Sequence, residues 1–187
     1  MKPPEFLNYY STKFKTVEID STYYGTPSAA TVTGWYEKTT PDFIFAAKVP
    51  QVVTHDKVLV NCEAEFDEFI DRMHLLHEKL GPLVLQFPWF NKHEIQADEF
   101  FRRLHLFLKR IMDLPTVRFA VEIRNKAWFD KRFTDLLREH NVALALTDLS
   151  NMPRDKTVID RTEDLRNWAG YGQVVLGYVG EARRMVT

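Results

Sequence analysis

The chain alternates short apolar segments with longer amphipathic ones, and this alternation limits the folds that it can adopt. Apolar segments of strand length begin near residues 16, 43, 82, 118 and 142. In the stretches 63–80 and 97–112, apolar residues recur at intervals of three and four, which is typical of helices with one buried face. Strands that alternate with helices predict repeated βα units around a parallel sheet. We expect one α/β domain that covers residues 1–187.

The boundaries of the predicted elements follow from turn residues and from apolar spacing. Pro27 suits the first position of a helix, and Gly81-Pro82 predict the end of a long one. Asn141 can take the left-handed conformation that ends a helix. The expected elements are helix 5–14, strand 16–24, helix 26–38, strand 42–49, loop 51–57, helix 63–80, strand 83–88, helix 97–112, a strand from 119, helix 132–140, strand 142–148, a short helix from 160 and a tail strand 173–179.

The fourth predicted strand shows most clearly how such a strand can carry a site. Phe119, Val121 and Ile123 are apolar and share one face. Glu122 and Arg124 share the other face, so a carboxylate and a guanidinium point the same way. Because the carboxyl ends of parallel strands hold the functional groups of α/β folds, we expect a polar site at this end of the sheet.

The other predicted strands repeat this arrangement, and their polar side chains of one parity are expected to face a shared cavity. The members of this set are Glu18, Asp20, Lys48, Gln86, Glu122, Arg124 and Thr147 or Asp148. One interpretation is structural: the charges form a paired ionic network, because unpaired buried charges are too unfavourable to keep. The other is functional: adjacent carboxylates and cations separate their pKa values and leave one carboxyl group as acid or base. The residues alone leave both open.

Each residue type has a role in the functional interpretation. We expect Glu122 to act as the acid or base, with Glu18 and Asp148 as further catalytic carboxylates. Arg124 can hold a carboxylate or phosphate with two parallel hydrogen bonds, whereas Lys48 acts as a point charge. The other ligand-binding candidates are Gln86, Tyr23, Trp128 and His55.

Three of these candidates carry alternatives. Tyr23 and Trp128 follow strand ends and can stack on a ring or a sugar face, although such aromatic residues more often pack within the protein. His55 can join the carboxylates around a divalent metal ion, but a loop histidine more often forms a local hydrogen bond. We therefore assign no metal site, and a divalent cation remains the one cofactor to consider.

Composition and charge disfavour several other classes of function. The net charge of −1 gives no general attraction to nucleic acid, and Arg102-Arg103 and Lys109-Arg110 are expected on the solvent side of a helix. Cys62 is the single cysteine, so no intrachain disulfide and no cysteine-rich zinc site can form. No apolar run approaches the roughly 20 residues of a membrane span. We expect a cytoplasmic protein whose ligand is a small molecule rather than nucleic acid or a membrane.

A series of motifs occurs in a specific order along the chain. The motifs are Val17-Glu-Ile-Asp-Ser-Thr-Tyr-Tyr24, Trp35, Phe43-Ile-Phe-Ala-Ala-Lys48, Thr54-His55, Leu80-Gly-Pro-Leu-Val-Leu-Gln-Phe-Pro88 and Val121-Glu-Ile-Arg124 with Trp128. Together they resemble the YecE-like family, which is domain of unknown function family 72, over about residues 5–153. The resemblance implies a TIM-type (β/α) barrel related in shape to sugar isomerases and metal-dependent endonucleases, with no settled activity. It places these residues at family-patterned positions: Glu18, Ser21, Tyr23, Lys48, His55, Gln86, Glu122, Arg124, Trp128 and Asp148.

The chain also departs from the family pattern. Asp20 stands where the family usually has Asn, and Asn125 stands where it usually has His, which argues against proton transfer at that second position. About five βα units match out of the eight of a full barrel, and residues 154–187 match poorly. We expect a partial barrel with two unpaired strand edges, which the tail strand caps or a homodimer covers.

Three functional hypotheses are consistent with these observations. The first is an enzyme with hydrolase- or isomerase-like acid/base chemistry on a small anionic or oxygen-rich substrate, at the carboxyl ends of the strands. The second is a metal-dependent hydrolase or a nuclease-like protein. The third is a non-catalytic binding or structural module, and truncation would be one reason for its inactivity.

Overall fold

The computed structural model of the chain describes residues 5–112, 114, 116–147, 176 and 177. Its helices are α1 (Phe6–Ser11), α2 (Ala29–Lys38), α3 (Glu63–Met73), α4 (Ala97–Ile111) and α5 (Lys131–Glu139). Its strands are β1 (Thr16–Ile19), β2 (Ile44–Lys48), β3 (Leu80–Gln86), β4 (Phe119–Glu122), β5 (Ala143–Leu144), β6 (Leu146–Thr147) and β7 (Leu176–Gly177). The chain divides into two compact units, Met1–Val84 and Leu85–Thr187.

The strands from β1 to β5 form one sheet, and their order in it follows the order of the chain. The pairings of β1 with β2, of β2 with β3 and of β4 with β5 are all parallel. Strands β6 and β7 form a separate parallel pair. The predicted α/β class with a parallel sheet is therefore confirmed.

In the first unit, β1 is shorter than the predicted strand 16–24. It ends at Ile19, and a short 3₁₀ turn follows at Ser21–Tyr23. The hydroxyl of Thr22 donates a hydrogen bond of 3.0 Å to the carbonyl oxygen of Ile19. Because Thr22 reaches back to the last strand carbonyl, the chain turns there instead of extending further. Thr22 is buried, so this turn is part of the packed interior.

Helix α2 begins two residues after the predicted Pro27 start, and its far end is held by a buried lysine. Ser28 caps its first turn, because its hydroxyl oxygen accepts the N–H of Thr31 at 3.2 Å. Lys79 is only 4% exposed, and its ammonium donates to the carbonyl oxygens of Tyr36 at 2.6 Å and Thr39 at 2.9 Å. The cation therefore binds carbonyls that the end of a helix leaves without intrahelical partners.

The sequence predicted that Gly81 and Pro82 end the preceding helix, but in the structure both residues lie inside β3. In the register of β2 against β3, Phe45 pairs with Leu80 and Ala47 with Leu83, so β3 carries an extra residue at this point. Proline, which lacks a backbone N–H, is tolerated in strands at such bulges. The preceding 3₁₀ segment, His74–Lys79, has a kink at His77, whose backbone is not helical (φ 48°).

The predicted loop 51–57 is helical in the structure. Residues Val52–Asp56 form one turn of π-helix, which places His55 on an ordered segment directly after β2. Val53 and Thr54 are fully buried, so this turn is anchored in the interior of the first unit. The helix predicted at 63–80 splits into α3 and a 3₁₀ segment, His74–Lys79.

The core of the second unit is aromatic and is centred on α4. The ring of Phe100 lies 4.9 Å from the ring of Phe87 and 4.8 Å from that of Trp128, measured between centroids. Phe100, Leu104 and Leu108 are fully buried, at the helical spacing that predicted this helix. Helix α4 confirms the predicted range 97–112 to within one residue.

A single residue marks each boundary of α5. Asp130 caps the helix by accepting the N–H of Phe133 at 3.1 Å, and Asn141 takes the predicted left-handed conformation at φ 51°. The predicted strand 142–148 is divided into β5 and β6, which belong to different sheets. The predicted helix from 160 lies outside the described residues, and of the tail strand 173–179 only β7 lies within them.

Within the described part of the chain, no helix has the length and apolar character that crossing a membrane requires.

We expect Gly81→Ala to destabilise the first unit. A Cβ at this position would lie 2.6 Å from Cγ2 of Ile44 and 2.8 Å from the carbonyl oxygen of Phe45, and the backbone cannot yield cheaply. The expected loss in free energy of unfolding is about 1–3 kcal/mol, measured by urea denaturation. Gly25→Ala is the matched control, because a Cβ there meets nothing within 4 Å. Equal stability of the two variants would contradict this packing.

We expect the thiol of Cys62 to resist modification in the folded chain. Cys62 is 1% exposed, and burial raises the pKa of its thiol to about 11. At pH 8 the reactive thiolate is therefore scarce and shielded. Reaction with 5,5′-dithiobis(2-nitrobenzoate) at this pH should be slow in buffer and fast in concentrated urea. Reaction in buffer at the rate of the unfolded chain would show that the thiol is accessible.

Candidate functional site

A buried carboxylate lies at the end of β4 in the second unit. Glu122 is the last residue of β4 and is 3% exposed. Gln86, the last residue of β3, donates from Nε2 to Oε1 of Glu122 at 2.9 Å. Nε of Arg124 donates to the same oxygen at 3.4 Å. The sequence predicted that these three residues share a site, and we refer to them as the Glu122 cluster.

The electrostatics of the Glu122 cluster follow from its burial. A carboxylate removed from water needs hydrogen-bond donors or a cation, and the Glu122 cluster supplies one amide and one guanidinium. The side chain of Arg124 remains 34% exposed, against 5% for Glu122. A guanidinium carries five N–H groups, so Arg124 can contact Glu122 and present donors to solvent at the same time. The arrangement can bind an anionic group next to a buried proton acceptor.

Asn125 joins the segments that follow β3 and β4 in the second unit. Its Oδ1 accepts the N–H of Phe90 at 2.8 Å, and its Nδ2 donates to the carbonyl oxygen of Phe90 at 2.9 Å. Both residues are buried, so this pair of bonds replaces the water that the backbone of Phe90 would otherwise need. Asn125 thus has a structural role that the sequence did not reveal.

An open groove of about 950 Å³ lies beside these two segments. It is lined by Trp89, Phe90, Asn91, Lys92, His93, Ile95, Gln96, Ala97, Asn125, Lys126, Ala127 and Trp128. Neither Glu122 nor Arg124 belongs to this lining, so the groove and the Glu122 cluster are distinct features of the second unit. Trp89 is 60% exposed and offers an aromatic face to solvent.

Trp128, a predicted ligand-stacking residue, packs mainly within the protein. It is 8% exposed, and its ring stacks on Phe100 at 4.8 Å and on Phe90 at 5.7 Å between centroids. Only an edge of its surface therefore remains for the groove that it lines.

A second polar group lies at the ends of β1 and β2 in the first unit. Nζ of Lys48 lies 2.5 Å from Oδ1 of Asp20 and 3.6 Å from Oε1 of Glu18. The side chains of Lys48 and Glu18 are 13% and 15% exposed, whereas that of Asp20 is 52% exposed. The predicted association of Lys48 with these two carboxylates is thus present, and it follows from the parallel pairing of β1 with β2.

His55 and Tyr23 lie near each other in the same unit. Their rings meet edge to face with centroids 5.1 Å apart, and Nδ1 of His55 lies 2.8 Å from the hydroxyl oxygen of Thr54. Within the described chain, His55 belongs to no group of three metal-ligating side chains. Asp148, the third predicted catalytic carboxylate, lies outside the described residues.

A group with metal-ligating chemistry occurs instead on the helices of the second unit, where the sequence analysis did not place one. His105 on α4, Glu139 at the end of α5 and His140 offer ligand atoms that all lie within 4.8 Å of one another. Burial lowers the pKa of His140 from its ordinary value, which favours the neutral imidazole. The two histidines are 35 residues apart in the chain, so no local spacing could have revealed this group.

The fold and the buried polar group at its strand ends define an α/β protein with a parallel sheet. A family model described as "Protein of unknown function DUF72" matches residues 1–174. The chain belongs to this family, which confirms the YecE-like resemblance.

Two curated relatives are similar to this chain. UPF0759 protein YecE of Escherichia coli (strain K12) is 34% identical over 127 residues, which are 67% of this chain and 43% of YecE. UPF0759 protein YunF of Bacillus subtilis (strain 168) is 31% identical over 135 residues, which are 68% of this chain and 45% of YunF. The chain spans less than half the length of the curated relatives that it matches.

Two solved structures are similar in fold. A DUF72 family protein of Thermotoga maritima MSB8 has a TM-score of 0.62 and 22% identity, over 95% of this chain and 82% of that protein. A DUF72 family protein of Enterococcus faecalis V583 has a TM-score of 0.59 and 22% identity, over 80% of this chain and 62% of that one. At this level of identity the likeness concerns the fold alone.

We expect Asn125→Ala to destabilise the second unit by about 2–3 kcal/mol, because the N–H and carbonyl groups of Phe90 lose their buried partners. Urea denaturation followed by far-UV circular dichroism measures this loss. Asn91→Ala is the matched control, since Asn91 is exposed and its side chain accepts only an exposed N–H, that of His93. We expect that variant to lie within about 0.5 kcal/mol of the wild type. A similar effect of both substitutions would show that the Asn125 bonds are not specific.

Proposed function

We propose that the chain binds a small anionic or oxygen-rich molecule at the Glu122 cluster and acts on it by acid/base chemistry. In this proposal Arg124 holds an oxygen of the ligand, and Glu122 accepts a proton from it or returns one. Gln86 holds the carboxylate of Glu122 in position through its amide. The matched region makes up less than half of each curated relative. Any activity that requires the whole length of such a relative is therefore also part of the proposal.

One observation carries the proposal: a buried carboxylate and a partly exposed guanidinium share a contact at a strand end. Glu122 is 3% exposed, and Arg124, two residues later, keeps a third of its side chain in solvent. A purely structural ion pair does not require one partner to remain reachable by solvent. A site for an anion does require it, since the ligand must approach the cation. The carboxyl ends of parallel strands are also where α/β folds hold their ligands.

The groove lined by Asn125 and Trp89 suggests where a ligand larger than a simple anion would extend. It is open, and Lys92 and Lys126 contribute cations to its lining. The exposed face of Trp89 can stack on a planar or sugar-like group. We propose that an extended ligand uses this groove, whereas a minimal anion uses the Glu122 cluster alone.

We also propose that the sheet belongs to a partial TIM-type (β/α) barrel. The support is the strand order, which follows the chain from β1 to β5. Doubly wound sheets reverse their order at a switch point, whereas barrels add each βα unit beside the previous one. A crystal structure with an open, uncurved sheet would overturn this assignment.

A non-catalytic binding module is the second candidate function. The specific observation in its favour is that Glu122 already accepts hydrogen bonds from Gln86 and Arg124. Such mutual satisfaction is also expected of a carboxylate that only maintains the structure. The two candidates differ in turnover, because only an enzyme changes its bound ligand chemically by proton transfer.

We expect inorganic phosphate, citrate or glucose 6-phosphate to raise the melting temperature of the chain. At about ten times its Kd, a bound probe stabilises by roughly 1.4 kcal/mol, which corresponds to about 3–5 °C for a chain of this length. The shift should vanish in Arg124→Gln. In Glu122→Gln the shift should persist, because the guanidinium of Arg124 that holds the probe remains. Thermal denaturation in each probe, followed by calorimetric titration, measures both effects.

Matched controls are Arg118→Gln and Glu37→Gln, which change exposed residues outside the Glu122 cluster. Both should retain the wild-type shift. A shift of the same size in Arg124→Gln would remove the cluster as the binding site. Glucose 6-phosphate that is bound equally well by the wild type and by Glu122→Gln, and is recovered chemically unchanged from the wild type, would favour the binding module over the enzyme.

A further inference from the structure

His105 on α4 and His140, the residue that follows α5, meet at close range in the second unit. Nδ1 of His105 lies 3.1 Å from Nε2 of His140, and the rings cross at 63°. Two nitrogens that each lie about 2.05 Å from one tetrahedral ion are roughly 3.3 Å apart. The observed separation is therefore close to that of two imidazoles on a shared metal ion, and a small movement of the rings admits the ion.

The outer nitrogen of His140 indicates which tautomer this residue adopts. Nδ1 of His140 lies 3.1 Å from the sulfur of Met112, which accepts hydrogen bonds but cannot donate them. The proton of a neutral His140 therefore belongs on Nδ1, and the lone pair of Nε2 points toward His105. A ligating histidine needs this arrangement, with one nitrogen bonded to hydrogen and the other available to the metal. The ion would replace the proton that the two rings share, and His105 would then carry its proton on Nε2.

Glu139 supplies the third ligand and the negative charge. It is the last residue of α5, is exposed, and places a carboxylate oxygen within 4.8 Å of one ring nitrogen of each histidine. The end of α5 also carries the partial negative charge of a helix C-terminus, which favours a cation. Two imidazoles and one carboxylate form a ligand set that zinc enzymes use, with a fourth position left for water.

The site is reachable from solvent. His105 and Glu139 line a shallow groove of about 370 Å³ between α4 and α5, together with Phe101, Arg132 and Leu136. His140 is 7% exposed and is not among the residues that line this groove. The fourth coordination position would therefore face an open surface rather than the protein core.

We propose that His105, His140 and Glu139 form a binding site for a divalent transition metal ion of the Zn²⁺ type, completed by water. Two imidazoles select Zn²⁺, Cu²⁺ or Ni²⁺ over Mg²⁺ and Ca²⁺, which prefer oxygen ligands. The ion joins α4 to α5 across their outer faces. This site is separate from the Glu122 cluster and does not depend on the function proposed for it.

The test is calorimetric titration of the untagged, EDTA-treated chain with ZnCl₂. We expect one ion per chain with a Kd in the micromolar range or lower, and no heat from MgCl₂. His105→Asn should weaken binding by about 100-fold or more. Replacing residues that only hydrogen-bond to metal ligands already lowers metal affinity by about 10–100-fold, and His105 is itself a ligand. Glu139→Gln should weaken it by about 10-fold. His93→Asn, a change of an exposed histidine outside the site, should leave the Kd within twofold.

Two results would overturn the site: no Zn²⁺ binding by the wild-type chain at 1 mM, or the same Kd in His105→Asn as in the wild type. His140 is buried and its replacement can unfold the chain, so the decision rests on His105 and Glu139, which are more exposed. Circular dichroism confirms that each variant is folded. As a second readout, Zn²⁺ should raise the melting temperature of the wild type but not of His105→Asn.

Discussion

The burial of one carboxylate constrains the end of the sheet in the second unit. Glu122 is a strand residue at 3% exposure, where an ionised group is tolerated only with hydrogen-bond partners. Gln86 at the end of β3 and Arg124, two residues after Glu122, donate these hydrogen bonds. A chain that lacked either donor would leave the burial of this carboxylate less well compensated. The same requirement makes the position suitable for a reactive group, because buried carboxylates are the ones whose protonation a protein can control.

The need of buried polar groups for hydrogen-bond partners also explains the roles of Lys79, Asn125 and Thr22, which the sequence does not reveal. Lys79 places its ammonium on carbonyl oxygens at the end of α2, and Asn125 pairs with both backbone groups of Phe90. Thr22 binds the last carbonyl of β1. In each case a side chain closes a gap in backbone hydrogen bonding where a helix, strand or loop ends. The ends of the elements, rather than their centres, therefore carry the specific polar residues of this fold.

Much of the fold could be predicted, because its signals are local. Apolar spacing predicted α4 to within one residue, and Asn141 took the left-handed conformation expected of it. One error occurred where a distant contact outweighed a local preference. Gly81 and Pro82 are helix-ending residues by propensity, yet they lie in β3, where only a glycine fits against the carbonyl oxygen of Phe45. Another had a local cause: β1 stopped early because the side chain of Thr22, three residues further on, competed for its last carbonyl.

Strand parity and the alternation of elements, which a sequence carries in full, determined the parallel sheet and placed Glu18 with Lys48 and Glu122 with Arg124. Both contacts join side chains on the same strand or on strands that follow one another in the chain. Tertiary structure alone decided that Trp128 packs into an aromatic core and that His105 meets His140 across two helices. Those meetings depend on how helices pack in three dimensions, and a packing angle leaves no periodic trace along the chain.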